Sequence, residues 1–323
     1  QQQQQQQRQR QTARAATMGR LELAGVYTAI VTPFTADSTE VDFEALGALI
    51  DAQIAGGVAG VVPIGTTGES PTLTAEERHK IIEFCVKRAA GKITVMAGTG
   101  SNNTAATVEA TKKAKELGVD CCLLVNPYYN KPSQEGLYQH VKAVAAVGLP
   151  ICLYNIPSRT GIQMSPETIA RAYKDFPEVC AVKEATGSLD SASEIASLCD
   201  IAIFSGDDSL TLPLMSIGGK GVVSVLSNLA PERVTEMVKV AAEGDFAAAA
   251  KLHKGLFKVF KTMFIETNPV PCKYAMAMNG MCTPAVRLPL VQMTDANAQT
   301  LTDVLVEKEL VSAENASKRP KLG

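Results

Sequence analysis

Lys183 lies in the run VCAVKEATG, with Ala181, Val182 and Ala185 beside it. An ammonium set in so apolar a stretch loses its hydration, which favours the free amine over the charged form. A free primary amine is the nucleophile that attacks a carbonyl and forms a Schiff base. The alternative is a structural ion pair with Glu184, but adjacent residues on a strand point to opposite faces. Other polar groups recur at the ends of short apolar runs. GTTGES (65–70) reads as a tight turn whose N–H groups and threonine hydroxyls hold a small carboxylate, or simply as a glycine turn with capping hydroxyls. It lacks the lysine of a nucleotide-binding P-loop. Tyr154, near the end of PICLYNI, is placed either to relay protons to an imine or to fill the core. Arg159 in SRTG offers a bidentate carboxylate clamp, or only a surface charge.

These residues need elements that bring them to one place. Eight β-branched, apolar runs follow one another: 26–32, 59–65, 94–100, 121–127, 150–156, 179–185, 201–207 and 221–227. Stretches with helical spacing separate them, such as EERHKIIEFCVKRAA. The runs are continuous rather than alternating, as parallel strands covered on both faces require. Eight such units predict an α/β fold, a (β/α)8 TIM barrel, whose chemistry belongs at the C-terminal ends of the strands. GTTGES, NPYYN (126–130), YNIPSRTG (154–161), KEATG (183–187) and SGDD (205–208) all fall there. A doubly wound sheet is the rival, but the first strand ends in VTPF rather than a glycine-rich phosphate cradle. We expect a disordered arm over 1–24, barrel strands and connecting helices over 25–229, a last barrel helix and helical extension over 230–313, and a tail over 314–323.

Bulk properties narrow the function. The 323 residues are 46% hydrophobic and 20% charged, with a formal net charge of −2. That balance argues against nucleic acid or an acidic membrane as partner, and no apolar run is long enough to span a bilayer. None of the eight cysteines forms a CxxC pair, and several sit in apolar runs such as CCLLV. Buried free thiols in a reducing compartment fit this better than disulfides or zinc. His79, His140 and His253 are isolated, so neither a metal nor another cofactor is expected. The opening segment QQQQQQQRQRQTARAAT has arginine, no acid and no apolar periodicity. It reads as a dispensable arm or a transit-peptide remnant, so the expected location is the cytoplasm, or a plastid if the arm is such a remnant.

Taken together, GTTGES, PYYNKPSQEGLYQH, LYNIPSRTG, VKEATG, SGDD and NPVP resemble the dihydrodipicolinate synthase family from about residue 25 to 289. The resemblance implies that Lys183 condenses with pyruvate and that the enamine attacks L-aspartate 4-semialdehyde. It implies a proton relay of Thr66, Tyr154 and Tyr129, the last crossing from a neighbouring subunit, and hence a dimer and a homotetramer. Thr67 would bind the pyruvate carboxylate and Arg159 that of the semialdehyde, with Gly206 and Val223 lining the substrate and lysine. Ser70, Asn102 and Tyr128 match an effector cleft for lysine. Ala75 and Ala106 stand where sensitive bacterial members carry a histidine and a glutamate, so tight inhibition is not expected. The alternatives are a sialic acid lyase or other sugar-acid pyruvate aldolase, and an inactive barrel serving as a scaffold.

Overall fold

Each apolar run supplies one short parallel strand in the computed structural model, which describes residues 19–317. The strands are Gly25–Thr28 (β1), Gly60–Val61 (β2), Thr94–Gly98 (β3), Cys121–Val125 (β4), Ile151–Asn155 (β5), Val179–Glu184 (β6), Ala202–Ser205 (β7) and Gly221–Ser224 (β8). They close in sequence order, with β8 paired to β1 in the register Gly25↔Gly221 through Thr28↔Ser224. Closure brings the two backbones so near that a Cβ on Gly221 would lie 1.9 Å from the Gly25 carbonyl oxygen. Only glycine fits there, at a φ of +145°.

A helix follows each strand: Phe43–Ala55 (α1), Ala75–Ala89 (α2), Thr104–Leu117 (α3), Gln134–Ala145 (α4), Pro166–Asp175 (α5), Leu189–Leu198 (α6), Thr211–Met215 (α7) and Pro231–Ala242 (α8). Local chemistry sets their starts. Thr74 and Glu77 form a reciprocal capping box on α2, and Asn103, Ser133 and Ser165 cap α3, α4 and α5. Three further helices, Phe246–Thr262 (α9), Val270–Met278 (α10) and Asp295–Glu307 (α11), pack beside the barrel.

The core has two parts. The larger lies between strands and helices; the smaller fills the barrel with Tyr27, Val62, Met96, Cys121, Cys152, Tyr154, Cys180, Phe204 and Val223. Tyr27 meets Phe204 edge-on, with centroids 5.3 Å apart. Six cysteines are buried and all eight are free thiols. Burial pushes the Cys85 and Cys122 thiols up to about 12, so they stay protonated and inert.

The structure departs from the sequence reading in three places. Residues 19–24 are not an arm: Leu23 is buried in the barrel interior, and the Arg20 guanidinium bonds the Tyr173 and Val179 carbonyls. Leu23 packs into the apolar cluster that fills the barrel. Residues 1–18, with the glutamine-rich segment, lie outside the described residues, as do 318–323 of the expected tail; Ala313–Ser317 is helical. The second strand pairs over two residues only, because Pro63 has no N–H to donate and Ile64 turns to a φ of +60°. The extension is not helical throughout. Residues 279–294 wind between α10 and α11 in turns, and they hold contacts that matter at the site.

Candidate active site

Parallel closure places the ends of all eight strands, and the loops that follow, on one rim. Ala181 of β6 and Ala185 just after it face the barrel interior while Val182 packs outward. Lys183 shares the inward face by the period of two. It is 6% exposed, and its Nζ lies 4.1 Å from the ring centroid of Tyr154. The two residues are register partners across β5 and β6, so the contact is built into the sheet.

Glu184 faces the other way. Its carboxylate accepts from Asn155 Nδ2 and the Thr186 N–H, not from Lys183, and burial raises it above the usual carboxylate range. Asn155 Oδ1 accepts from Asn126 Nδ2 and the Met164 N–H, and Asn155 Nδ2 also donates to the Met164 carbonyl. This polar layer behind the strands fixes the ends of β4, β5 and β6 without occupying the interior. Asp207 senses Lys183: burial raises its carboxyl while the lysine pulls it the other way. Gly206 is needed beside it, since a Cβ there would lie 2.4 Å from that of Ala185. Val223, on β8, is buried in the barrel interior.

The GTTGES turn is held from several directions. Thr32 donates to the Gly68 carbonyl at 2.8 Å, and the Glu69 N–H bonds the Thr66 carbonyl. Thr67 is 2% exposed, and its Oγ1 accepts from Asn268 Nδ2 at 2.9 Å. Glu69 adopts a left-handed φ of +52°, which the turn imposes on a bulky residue. Its side chain compensates by pairing with Lys273 of α10, both side chains being fully buried. Lys273 also donates to the Ala285 carbonyl, and Glu69 Oε2 accepts from the Arg287 N–H. Arg287 in turn grips Glu77 through two nitrogens, which holds the Glu77 carboxyl down at about 2.

Asn268, Lys273 and Arg287 were not singled out in the sequence as site-supporting residues. NPVP flagged the neighbourhood of Asn268, and Lys273 lies in an apolar stretch much as Lys183 does; Arg287 carried no local signal. Their partners lie about two hundred residues away in the chain.

The remaining expected residues lie on the loops. Arg159 is exposed on the short helical turn Pro157–Thr160 after β5. Tyr129 is 90% exposed at a φ of +73°, and Tyr128 is 41% exposed. Asn102 accepts from Asn130 Nδ2 through its carbonyl, and the Ser70 carbonyl accepts from Arg78. Ala75 and Ala106, in the first turns of α2 and α3, are exposed. His140 bonds Thr104 and His253 packs near Phe257 and Phe260; burial lowers both imidazoles. Among the described residues no group of three or more His, Cys, Asp or Glu is placed to hold a metal, and no helix is long and apolar enough to cross a membrane.

A closed (β/α)8 barrel that seats a buried lysine against a tyrosine at its rim is an arrangement suited to a lyase of the class I aldolase type. The comparisons with known proteins narrow this. The Dihydrodipicolinate synthetase family model matches residues 22–308, and the chain belongs to that family. A 4-hydroxy-tetrahydrodipicolinate synthase of Endomicrobium trichonymphae is 50% identical over 284 residues, 87% of this chain and 97% of that protein. The dihydrodipicolinate synthase structure from Aquifex aeolicus is 48% identical with a TM-score of 0.87, covering 89% of this chain and 99% of the other. A structure of the Cyanidioschyzon merolae protein with lysine bound is 39% identical, with a TM-score of 0.86 over 89% and 99% of the two chains.

Proposed function

We propose that this chain carries out the 4-hydroxy-tetrahydrodipicolinate synthase reaction, with Lys183 as its Schiff-base residue. The observation that carries the assignment is the lysine amine on the inner face of β6, 4.1 Å from the Tyr154 ring. The Lys183 amine adds to the ketone of pyruvate, and loss of one water gives the imine. Removal of a methyl proton converts it to the enamine, whose carbon attacks the aldehyde of L-aspartate 4-semialdehyde. The semialdehyde's amino group then displaces Lys183 from the imine carbon, closing the ring and freeing the enzyme. One water is released overall, and no redox step is involved.

Tyr154, whose ring centroid lies 4.1 Å from the Lys183 amine, carries protons between these steps, with Thr66 and Tyr129 completing the relay. Thr67 binds the keto-acid carboxylate and Arg159 that of the semialdehyde; Gly206 and Val223 line the pocket. Tyr129 reaches a second copy of the chain. Its 90% exposure and left-handed backbone hold it out from its own barrel, as a residue delivered to a neighbour requires. We therefore infer a dimer as the working unit and a homotetramer built from two. A reducing compartment, the cytoplasm or a plastid, fits the eight free thiols.

Ser70, Asn102 and Tyr128 correspond to the effector cleft, but the exposed Ala75 and Ala106 offer no charge or hydrogen bond to a lysine ligand. We expect turnover to persist in millimolar lysine; half-inhibition well below that range would contradict the reading. The reaction itself is tested by a coupled assay. Pyruvate with aspartate semialdehyde should give product, and N-acetylneuraminate should not be cleaved. Cleavage of the sugar acid in place of condensation would reassign the enzyme to the sugar-acid aldolases.

A further inference from the structure

Thr67 and Asn268 are 201 residues apart in sequence, and both are buried at the site. The Asn268 amide donates through Nδ2 to Thr67 Oγ1 at 2.9 Å. A threonine hydroxyl has one hydrogen to give and oxygen lone pairs that accept. With acceptor capacity already taken by Asn268, the hydrogen of Thr67 is left for another partner, and that partner must be an acceptor. A carboxylate accepts only. Asn268 Oδ1 meanwhile has no partner among the described residues. A buried polar atom left unpaired is a cost that proteins tolerate chiefly where a functional arrangement demands it. Asn268 is itself held in place by the residues after it, since Lys273 of the same segment is locked to Glu69 of the Thr67 turn.

We propose that Asn268 is a positioning residue that sets the polarity of Thr67, committing its hydroxyl to donate to the carboxylate of the keto-acid substrate. This rests on the reading that Thr67 binds that carboxylate. Asn268 does not touch the reacting atoms, and its effect passes through one hydrogen bond to one hydroxyl. Two substitutions separate this role from simple packing. Asn268→Ala removes the donor and leaves the hydroxyl free to rotate. Asn268→Asp keeps the shape but offers an acceptor, which captures the Thr67 hydrogen.

The test is the KM for pyruvate and for aspartate semialdehyde, measured on the full chain for wild type, N268A, N268D, T67V and T67V/N268A. Far-UV circular dichroism and thermal melting identify any variant that fails to fold. The KM for pyruvate should rise about fivefold in N268A, the scale of an ordinary hydrogen bond, and by more than about tenfold in N268D, the scale of one to a charged group. The KM for the semialdehyde should stay within about twofold. In the T67V background, N268A should add nothing further, because the hydroxyl it orients is gone. An equal rise in both KM values, or the same rise with and without Thr67, would overturn the proposal. Should N268A and N268D misfold, N268S supplies a second arm. Its short side chain cannot reach Thr67, so the KM for pyruvate should rise as in N268A; a wild-type KM would also overturn the proposal. The underlying reading fails separately: T67V would then leave the KM for pyruvate unchanged.

Discussion

Among the described residues two lysines are buried, and each rests with its Nζ 4.1 Å from the centre of an aromatic ring. Lys273 lies over Phe34 and is bonded to the Glu69 carboxylate and the Ala285 carbonyl. Lys183 lies over Tyr154, while its neighbouring acid, Glu184, is turned outward and engaged elsewhere. The difference is in what else each amine is bonded to. Lys273 spends its hydrogen-bonding capacity on joining α10 to the turn after β2, so it is a bolt. Burial pulls its ammonium down against the opposing pull of Glu69, and it is shut off from solvent altogether. Lys183 is left at the open rim against a phenol, within electrostatic reach of Asp207 but bonded to no carboxylate. Burial of a lysine is thus no sign of chemistry in itself; the partner decides.

The two lysines should differ most in turnover. Lys183→Ala should lower kcat by ~10⁴-fold or more in a steady-state assay, while shifting unfolding by less than about 1 kcal/mol because no ion pair is lost. Activity within tenfold of wild type would remove Lys183 from the mechanism. Glu69→Gln should behave in the opposite sense. Leaving Lys273 buried without its carboxylate should cost about 3–5 kcal/mol in urea unfolding at fixed protein concentration. Adding Lys273→Met should return most of that loss; no recovery in the double variant would show that the pair is not the source.

Tyr129→Phe tests whether proton delivery to the Lys183 imine is separable from forming it. Turnover should fall by about 10²-fold while pyruvate trapping persists, and a parallel loss of both would tie Tyr129 to imine formation instead. The smallest effect lies at the edge of the bolted region. Glu77 is held down at about 2 by Arg287, so its folded value lies below its unfolded one. Its stabilising contribution is therefore complete above the unfolded value of 4.5 and fades as pH falls towards 2. In denaturation melts, the gap between wild type and Glu77→Gln should narrow across that window. A gap that widens as the solution is acidified would contradict the assignment.

Much of this was legible in the sequence because its signals are local. Continuous apolar runs announced the parallel strands, and Lys183 stood out as a charge inside one of them. Strand lengths were less legible: Pro63 ends the pairing of β2 early, and a run of apolar residues does not reveal where the ladder stops. The bolt was not read at all, although VPCKYAMAM sets Lys273 in an apolar stretch much as VCAVKEA sets Lys183. On a helix, a lysine among apolar residues ordinarily carries its amine out to water along its stem, and only the fold shows that Glu69 waits for it. Residues 279–294 read as helix for a related reason. Arg287 earns its place there through Glu77 and the Glu69 turn, far off in the chain, not through its neighbours.

We propose that the rim lysine, and not the bolted one, forms the imine. Reduction with borohydride in the presence of pyruvate, followed by digestion and mass spectrometry, reads this directly. One covalent adduct is expected, on the peptide bearing Lys183, absent from Lys183→Ala and unaffected by Lys273→Met in protein that remains folded. Wild type that carries no label, or a label on the peptide bearing Lys273, would contradict it.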